Sequence, residues 1–94
     1  MTINNKVSLY DQVVKITDEY LGPAADRFVT RQIKNHLNKD PHELQAKDLK
    51  DLVNWINLAM TLLSGDDKLV HEYITDLKAL ARNKDRHQQN GQRA

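Results

Sequence analysis

Apolar residues recur every three or four positions along most of the chain, which is the spacing of amphipathic α-helices. The first stripe predicts a helix that begins at Ser8, whose hydroxyl can accept a hydrogen bond from the backbone amide of Asp11. The stripe consists of Leu9, Val13, Ile16 and Tyr20, with Val14 and Leu21 beside it. No stretch alternates apolar and polar residues as a strand does, so the pattern is helical throughout.

The pair Gly22-Pro23 interrupts this pattern without a polar loop. Glycine can adopt the left-handed conformation that closes a helix, and proline suits the first turn of the next helix, where its missing N–H needs no partner. We therefore expect a sharp corner between two helices and not a phosphate-binding loop.

Two further elements follow this corner. A second helix is predicted over Pro23–Leu37, and its core face consists of Ala25, Phe28, Val29, Ile33 and Leu37. Asp40, Pro41 and Glu43 then supply an N-cap, a first-turn proline and a capping-box acid. These three residues predict a short helical turn at Pro41–Leu44.

The rest of the chain predicts two longer helices. The third, Lys47–Ser64, is the most apolar, and its main stripe is assigned to the core. The fourth, Lys68–Arg82, follows Gly65 and is capped by Asp66 or Asp67. The residues that it is expected to bury are Val70, Tyr73, Ile74, Leu77, Leu80 and Ala81, with Leu69 nearby. The main stripe of the third helix consists of Leu49, Leu52, Val53, Ile56, Ala59, Met60 and Leu63.

These elements predict an all-α fold, a compact bundle of four main helices plus one short helical turn. Residues 1–7 are expected to form an N-terminal arm and residues 8–82 the single helical domain. Residues 83–94 are polar and unpatterned, and we expect a disordered basic tail.

Composition narrows the classes of function. The chain has 94 residues, no cysteine and a formal net charge of +1. One small domain without cysteine has no disulfides or thiolate metal sites, which favours a cytoplasmic setting. The first residues lack the apolar run of a secretory signal, and no stretch approaches the ~20 apolar residues of a membrane span.

Candidate catalytic and metal-ligating residues have simpler explanations. Paired acids such as Asp48 and Asp51 lie in predicted first turns, where they stabilise helix N-termini. His71-Glu72 resembles the start of a zinc-protease motif, but Thr75 occupies the second ligand position. The remaining histidines lack the third ligand or the carboxylate that a metal site needs. We expect no enzyme activity, no cofactor and no metal.

Two surfaces remain as binding candidates. The face of the second helix opposite the core carries Arg27, Arg31 and Lys34, and Lys39 could extend this face. Its cations could contact phosphate groups. No aromatic residues are interleaved with these charges for base stacking, and the near-neutral net charge gives no general reason to expect nucleic acid. Nucleic-acid binding by this face together with the basic tail is therefore the alternative hypothesis.

The third helix carries the stronger candidate. Trp55, Leu58 and Leu62 widen its apolar arc beyond a single face. They could all be core, but a small domain has limited interior, so part of this arc could instead be covered by a partner or by a second copy. The leading hypothesis is a non-enzymatic protein–protein interaction module, with a homodimer as one form and with Arg27 and Arg31 as contacts for an acidic partner.

Two segments also resemble a known group of domains. LGPAADRFVTRQI and HELQAKDLKDLVNWI look like small bacterial helical domains that occur alone or at the ends of signalling proteins, including some serine/threonine kinases. The resemblance covers about half of the chain and implies an accessory or interaction role without catalytic residues. It rests on six positions, Gly22, Pro23, Ala24, Val29, Leu49 and Leu52.

Overall fold

Helices form where the sequence places capping residues and apolar stripes. The computed structural model describes the backbone of residues 8–93 and the side chains of residues 8–83. All regular structure in this range is helical, which confirms the all-α class. In chain order the elements are α1 (Leu9–Leu21), a 3₁₀ turn (Gly22–Ala24), α2 (Ala25–Gln32), a π-helical segment (Ile33–Leu37), 3₁₀ turns at Pro41–Glu43 and Ala46–Asp48, α3 (Leu49–Leu63) and α4 (Asp67–Arg93).

Local capping chemistry fixes the start of three elements as predicted. Ser8 Oγ accepts from the backbone amide of Asp11 at 3.1 Å and caps α1. The capping box at Asp40 and Glu43 starts the turn at Pro41–Glu43. Asp66 Oδ1 accepts from the backbone amide three residues later, at 3.1 Å, and caps α4.

The Gly22-Pro23 corner also forms as expected. Gly22 has a φ of +65°, which side chains with a Cβ rarely adopt, and its N–H donates to the carbonyl of Asp18. Pro23 lies in the 3₁₀ turn that leads directly into α2. α1 therefore ends and the next helical turn begins without an intervening loop.

Three features of the predicted architecture are corrected. The second helix is not one regular element, because it starts as a 3₁₀ turn and ends as a π-helix that Asn38 closes with a φ of +54°. There are therefore three long α-helices and one composite helix, with two 3₁₀ turns before α3 in place of one. α4 continues to Arg93, well beyond the predicted end at Arg82. The expected arm, residues 1–7, lies outside the described residues, and the division into arm, domain and tail stays a prediction.

Hydrogen bonds between side chains show how the helices run. The side chain of Thr17 is hydrogen-bonded to Tyr73, and that of Tyr20 to Asp76. Each pair is separated by 56 residues. This constant offset means that α1 and α4 run parallel. α3 and α4 form an antiparallel hairpin through the short connection at residues 64–66, and α2 folds back on α1.

The core lies between these two helix pairs. Thirteen residues predicted to be apolar core are buried, and Leu44 joins them. The prediction that Leu63 belongs to the core is wrong, because 73% of this residue is exposed. Leu63 is the last residue of α3, and no neighbouring element covers it. The thirteen are Val13, Ala25, Val29, Ile33, Leu49, Leu52, Val53, Ile56, Met60, Val70, Tyr73, Ile74 and Leu77.

The bundle is compact except along α4. Its radius of gyration is 13.8 Å, near the ~12 Å expected for a compact chain of this length. The longest dimension is 45 Å, which is close to the roughly 40 Å length of a helix the size of α4.

Candidate partner-binding surface

The most distinctive surface of the molecule is an exposed apolar area on α3. It comprises Trp55, Leu58, Leu62 and Leu63, which are 38%, 52%, 79% and 73% exposed. We call it the α3 apolar surface. Isolated exposed leucines are ordinary, but four large apolar side chains within nine residues of one helix form a patch of the kind that marks interaction sites.

α3 carries this surface because its sequence holds two apolar stripes. One stripe, centred on Ile56, faces the core. The other follows the spacing i, i+3, i+4, i+7 through Trp55, Leu58, Ala59 and Leu62, which is itself a helix-packing pattern. Since only the first stripe is covered by this bundle, the second is left facing solvent.

A histidine from the preceding element holds the tryptophan in place. The rings of His36 and Trp55 stack at a centroid distance of 3.9 Å with an interplanar angle of 4°. His36 belongs to the π-helical segment, so the stack joins that segment to α3. The indole is thereby fixed while more than a third of it stays open to solvent, which lowers the entropy that binding would cost.

The segment of α3 that carries this surface has no charge. From Leu52 to Gly65 the chain has no ionisable side chain. The exposed flank is made of Asn54, Asn57 and Thr61, and the Thr61 hydroxyl donates to the Asn57 carbonyl at 2.8 Å. An uncharged polar flank beside an exposed apolar centre has the composition of an interface core with its rim.

The predicted basic face is only partly assembled. Arg27 and Arg31 on α2 and Lys34 in the π-helical segment are exposed together and line a shallow open depression with Asp26. Lys39 does not extend this face, because its ammonium is bound to Asp48 at 2.8 Å. That bond is the one ion pair within the described part of the chain, so Arg27, Arg31 and Lys34 lack an acidic partner there.

The carboxylate of Asp48 is bound to Lys39 and to the backbone of Gln45. Burial raises the pKa of its carboxyl, but the Lys39 bond and the hydrogen bond from the backbone amide of Gln45 outweigh burial, so the net pKa is below its ordinary value. Its Oδ2 accepts from Gln45 at 2.9 Å. This carboxylate closes the 3₁₀ turn before α3 and is not free to act as an acid or base.

A second polar group, which the sequence did not reveal, joins α1 to α4. Tyr20 donates to Asp76 at 2.5 Å and lies 5.1 Å from the ring of Tyr73. The bond to Asp76, burial and the charges of Glu72 and Glu19 raise the pKa of Tyr20 to about 12. A phenol with this pKa keeps its proton at neutral pH, so the group links two helices and offers no general base.

His36, His42 and the two serines have structural partners. His42 meets Tyr10 edge-on at 5.6 Å, while His36 stacks on Trp55, so the two histidines serve separate aromatic contacts. The hydroxyl of Ser64 accepts from the backbone amide of Asp66 at 3.0 Å. Among the side chains that the structure describes, no group of three or more histidines and acids could hold a metal ion.

Comparison with protein-family models, with curated proteins and with solved structures finds no match for this chain. The resemblance to bacterial accessory domains therefore stays a prediction. Within the described range, no helix has both the length and the apolarity needed to cross a bilayer.

Proposed function

We propose that this protein is a non-enzymatic helical interaction module that binds a protein partner on the α3 apolar surface. The observation that carries the proposal is the exposure of Trp55, Leu58, Leu62 and Leu63 on one uncharged segment of helix. A cytoplasmic location goes with it, supported by the absence of cysteine.

The size of this surface is sufficient for specific binding but not for very tight binding. Its exposed side chains present roughly 500 Å² of apolar area, at the upper end of the patches seen on monomers. Removing that area from water is worth about 12 kcal/mol at ~25 cal/mol per Å². The cost of association is of similar size, about 4–15 kcal/mol, so we expect a moderate affinity.

Site-specific crosslinking in the native cell tests the proposal directly. A photoreactive residue replaces Leu58 in one variant and Ala79, which is exposed on the outer face of α4, in the matched control. We expect a discrete crosslinked product from position 58 that position 79 does not give. Equal or absent crosslinking at both positions would rule out the α3 apolar surface as a binding site.

Nucleic-acid binding is the second candidate. It is favoured by three neighbouring cations, Arg27, Arg31 and Lys34, which have no acidic partner in the described chain. Asp26 on the same depression opposes it. Retardation of duplex and single-stranded DNA or RNA at low salt tests this function. If the protein binds through these cations, the logarithm of the binding constant should fall against the logarithm of the salt concentration with a slope of roughly 3. The double variant Arg27→Gln/Arg31→Gln should not bind.

A further inference from the structure

We infer that the partner of the α3 apolar surface is a second copy of this chain, with the two α3 helices packed antiparallel about a two-fold axis beside Leu58. This inference rests on the proposed function and names its partner. Three properties of the surface lead to it: its lack of charge, its area and the position of its one acidic neighbour.

The lack of charge fits a surface that binds itself. A partner of opposite charge would gain nothing from the segment between Leu52 and Gly65, which has no ionisable group. In a two-fold interface each residue lies near its own counterpart, so any charge at the centre would repel itself. An uncharged apolar stripe meets this requirement.

The area is that of a weak, transient interface. Leu63 lies on the core side of α3 and stays outside a contact centred on Leu58, so two copies together cover roughly 700 Å² from Trp55, Leu58 and Leu62, to which the flanking Asn54 and Ala59 add. That total is below the roughly 1,200 Å² of a standard interface and predicts a weak dimer.

The direction follows from Asp51, which lies two turns before Leu58 on the same face of α3. A parallel pair would place the two Asp51 carboxylates against each other and would align the helix dipoles. An antiparallel pair with its axis beside Leu58 separates these carboxylates by about 20 Å. It also packs Trp55 of each copy, held by His36, near Leu62 of the other.

Sedimentation equilibrium tests the dimer with the purified 94-residue chain. We expect a monomer–dimer equilibrium for the wild type, and a weakening of at least about tenfold in Leu58→Asp, where two carboxylates meet at the axis. Leu62→Asp serves as a second variant, and circular dichroism verifies that each folds. Ala79→Asp, which makes the same change in net charge on α4, should leave the dimer intact.

Charge exchange and crosslinking test the geometry. Leu58→Asp and Leu58→Lys should each be weakened alone and should associate when mixed, because the two side chains meet across the axis. Since the chain has no cysteine, Leu58→Cys provides a unique thiol that should form an intermolecular disulfide under mild oxidation. Asp51→Cys should not, and a disulfide there would overturn the antiparallel arrangement.

The outcomes separate this inference from the proposed function. A monomer up to millimolar concentration, together with a photocrosslink from position 58 to a different protein, overturns the dimer and leaves the interaction module standing. A monomer that gives no crosslink from position 58 overturns both.

Discussion

The hydroxyl of Tyr73 lies within the core beside the hydroxyl of Thr17. Each hydroxyl has one proton, and this determines which of the two donates the hydrogen bond between them. Thr17 donates its single hydroxyl proton to the carbonyl of Val13 at 2.8 Å. Its oxygen is 2.6 Å from the Tyr73 hydroxyl, so Tyr73 must be the donor of that bond. The core therefore requires the neutral phenol.

This requirement predicts a loss of stability at high pH. Burial raises the pKa of Tyr73 to about 12 from the ordinary 10.0. Above pH 10 the unfolded chain releases this proton while the folded chain keeps it, so the free energy of unfolding falls by up to about 1.4 kcal/mol per pH unit until pH 12. Below pH 10 the contribution is complete.

Tyr73→Phe isolates this effect. At pH 7 the variant should lose about 1 kcal/mol of unfolding free energy, the value of one buried hydrogen bond, because Thr17 keeps its bond to Val13. Between pH 10 and 12 its stability should fall less steeply than that of the wild type. Urea unfolding at each pH measures both quantities, and equal slopes in the two proteins would contradict the assignment.

At the scale of the helix, the corner at Gly22 makes a matched pair of variants possible. Gly22 has a φ of +65°, whereas Gly65 has no such constraint, and an added Cβ would meet nothing at either position. Gly22→Ala should therefore cost about 1 kcal/mol through backbone strain alone. Gly65→Ala should cost less than half of that. Urea unfolding at neutral pH decides, and equal losses would contradict the role of the corner.

The corner also shows which elements a sequence can predict. Caps such as Ser8, Asp40 and Asp66 act within three residues, so local chemistry is enough to place them. The sequence does not predict the π-helical segment, because the spacing of Ile33 and Leu37 places both on one face of either an α-helix or a π-helix. Its geometry depends on contacts that local sequence does not contain.

Contacts between distant residues were the least predictable part of the candidate site. Periodicity singles out Trp55, Leu58 and Leu62 as apolar residues beyond one core face, but it does not predict the stack of His36 on Trp55, since ring geometry between two elements leaves no periodic signal. Leu63 was misassigned for a related reason. Its spacing places it on the core face, and only the end of the helix removes its neighbours.

The molecule as a whole is joined by contacts between its first and last helices. Thr17 and Tyr20 on α1 meet Tyr73 and Asp76 on α4, across 56 residues of chain. The two helix hairpins are therefore bound into one core, and neither hairpin buries its apolar face alone. We expect the bundle to unfold as a single cooperative unit.

This core also defines the shortest chain that should fold. The buried residues and the apolar residues packed against them end at Ala81, although α4 continues to Arg93. A chain that ends at Arg82 should keep its unfolding free energy within about 0.5 kcal/mol, since residues 83–93 include no apolar side chain and the truncation places a cation at the helix C-terminus. A chain that ends at Lys78 lacks Leu80 and Ala81 and should lose more than about 1 kcal/mol. Urea unfolding of the three chains separates these cases, and a large loss in the first truncation would mean that residues after Arg82 stabilise the core.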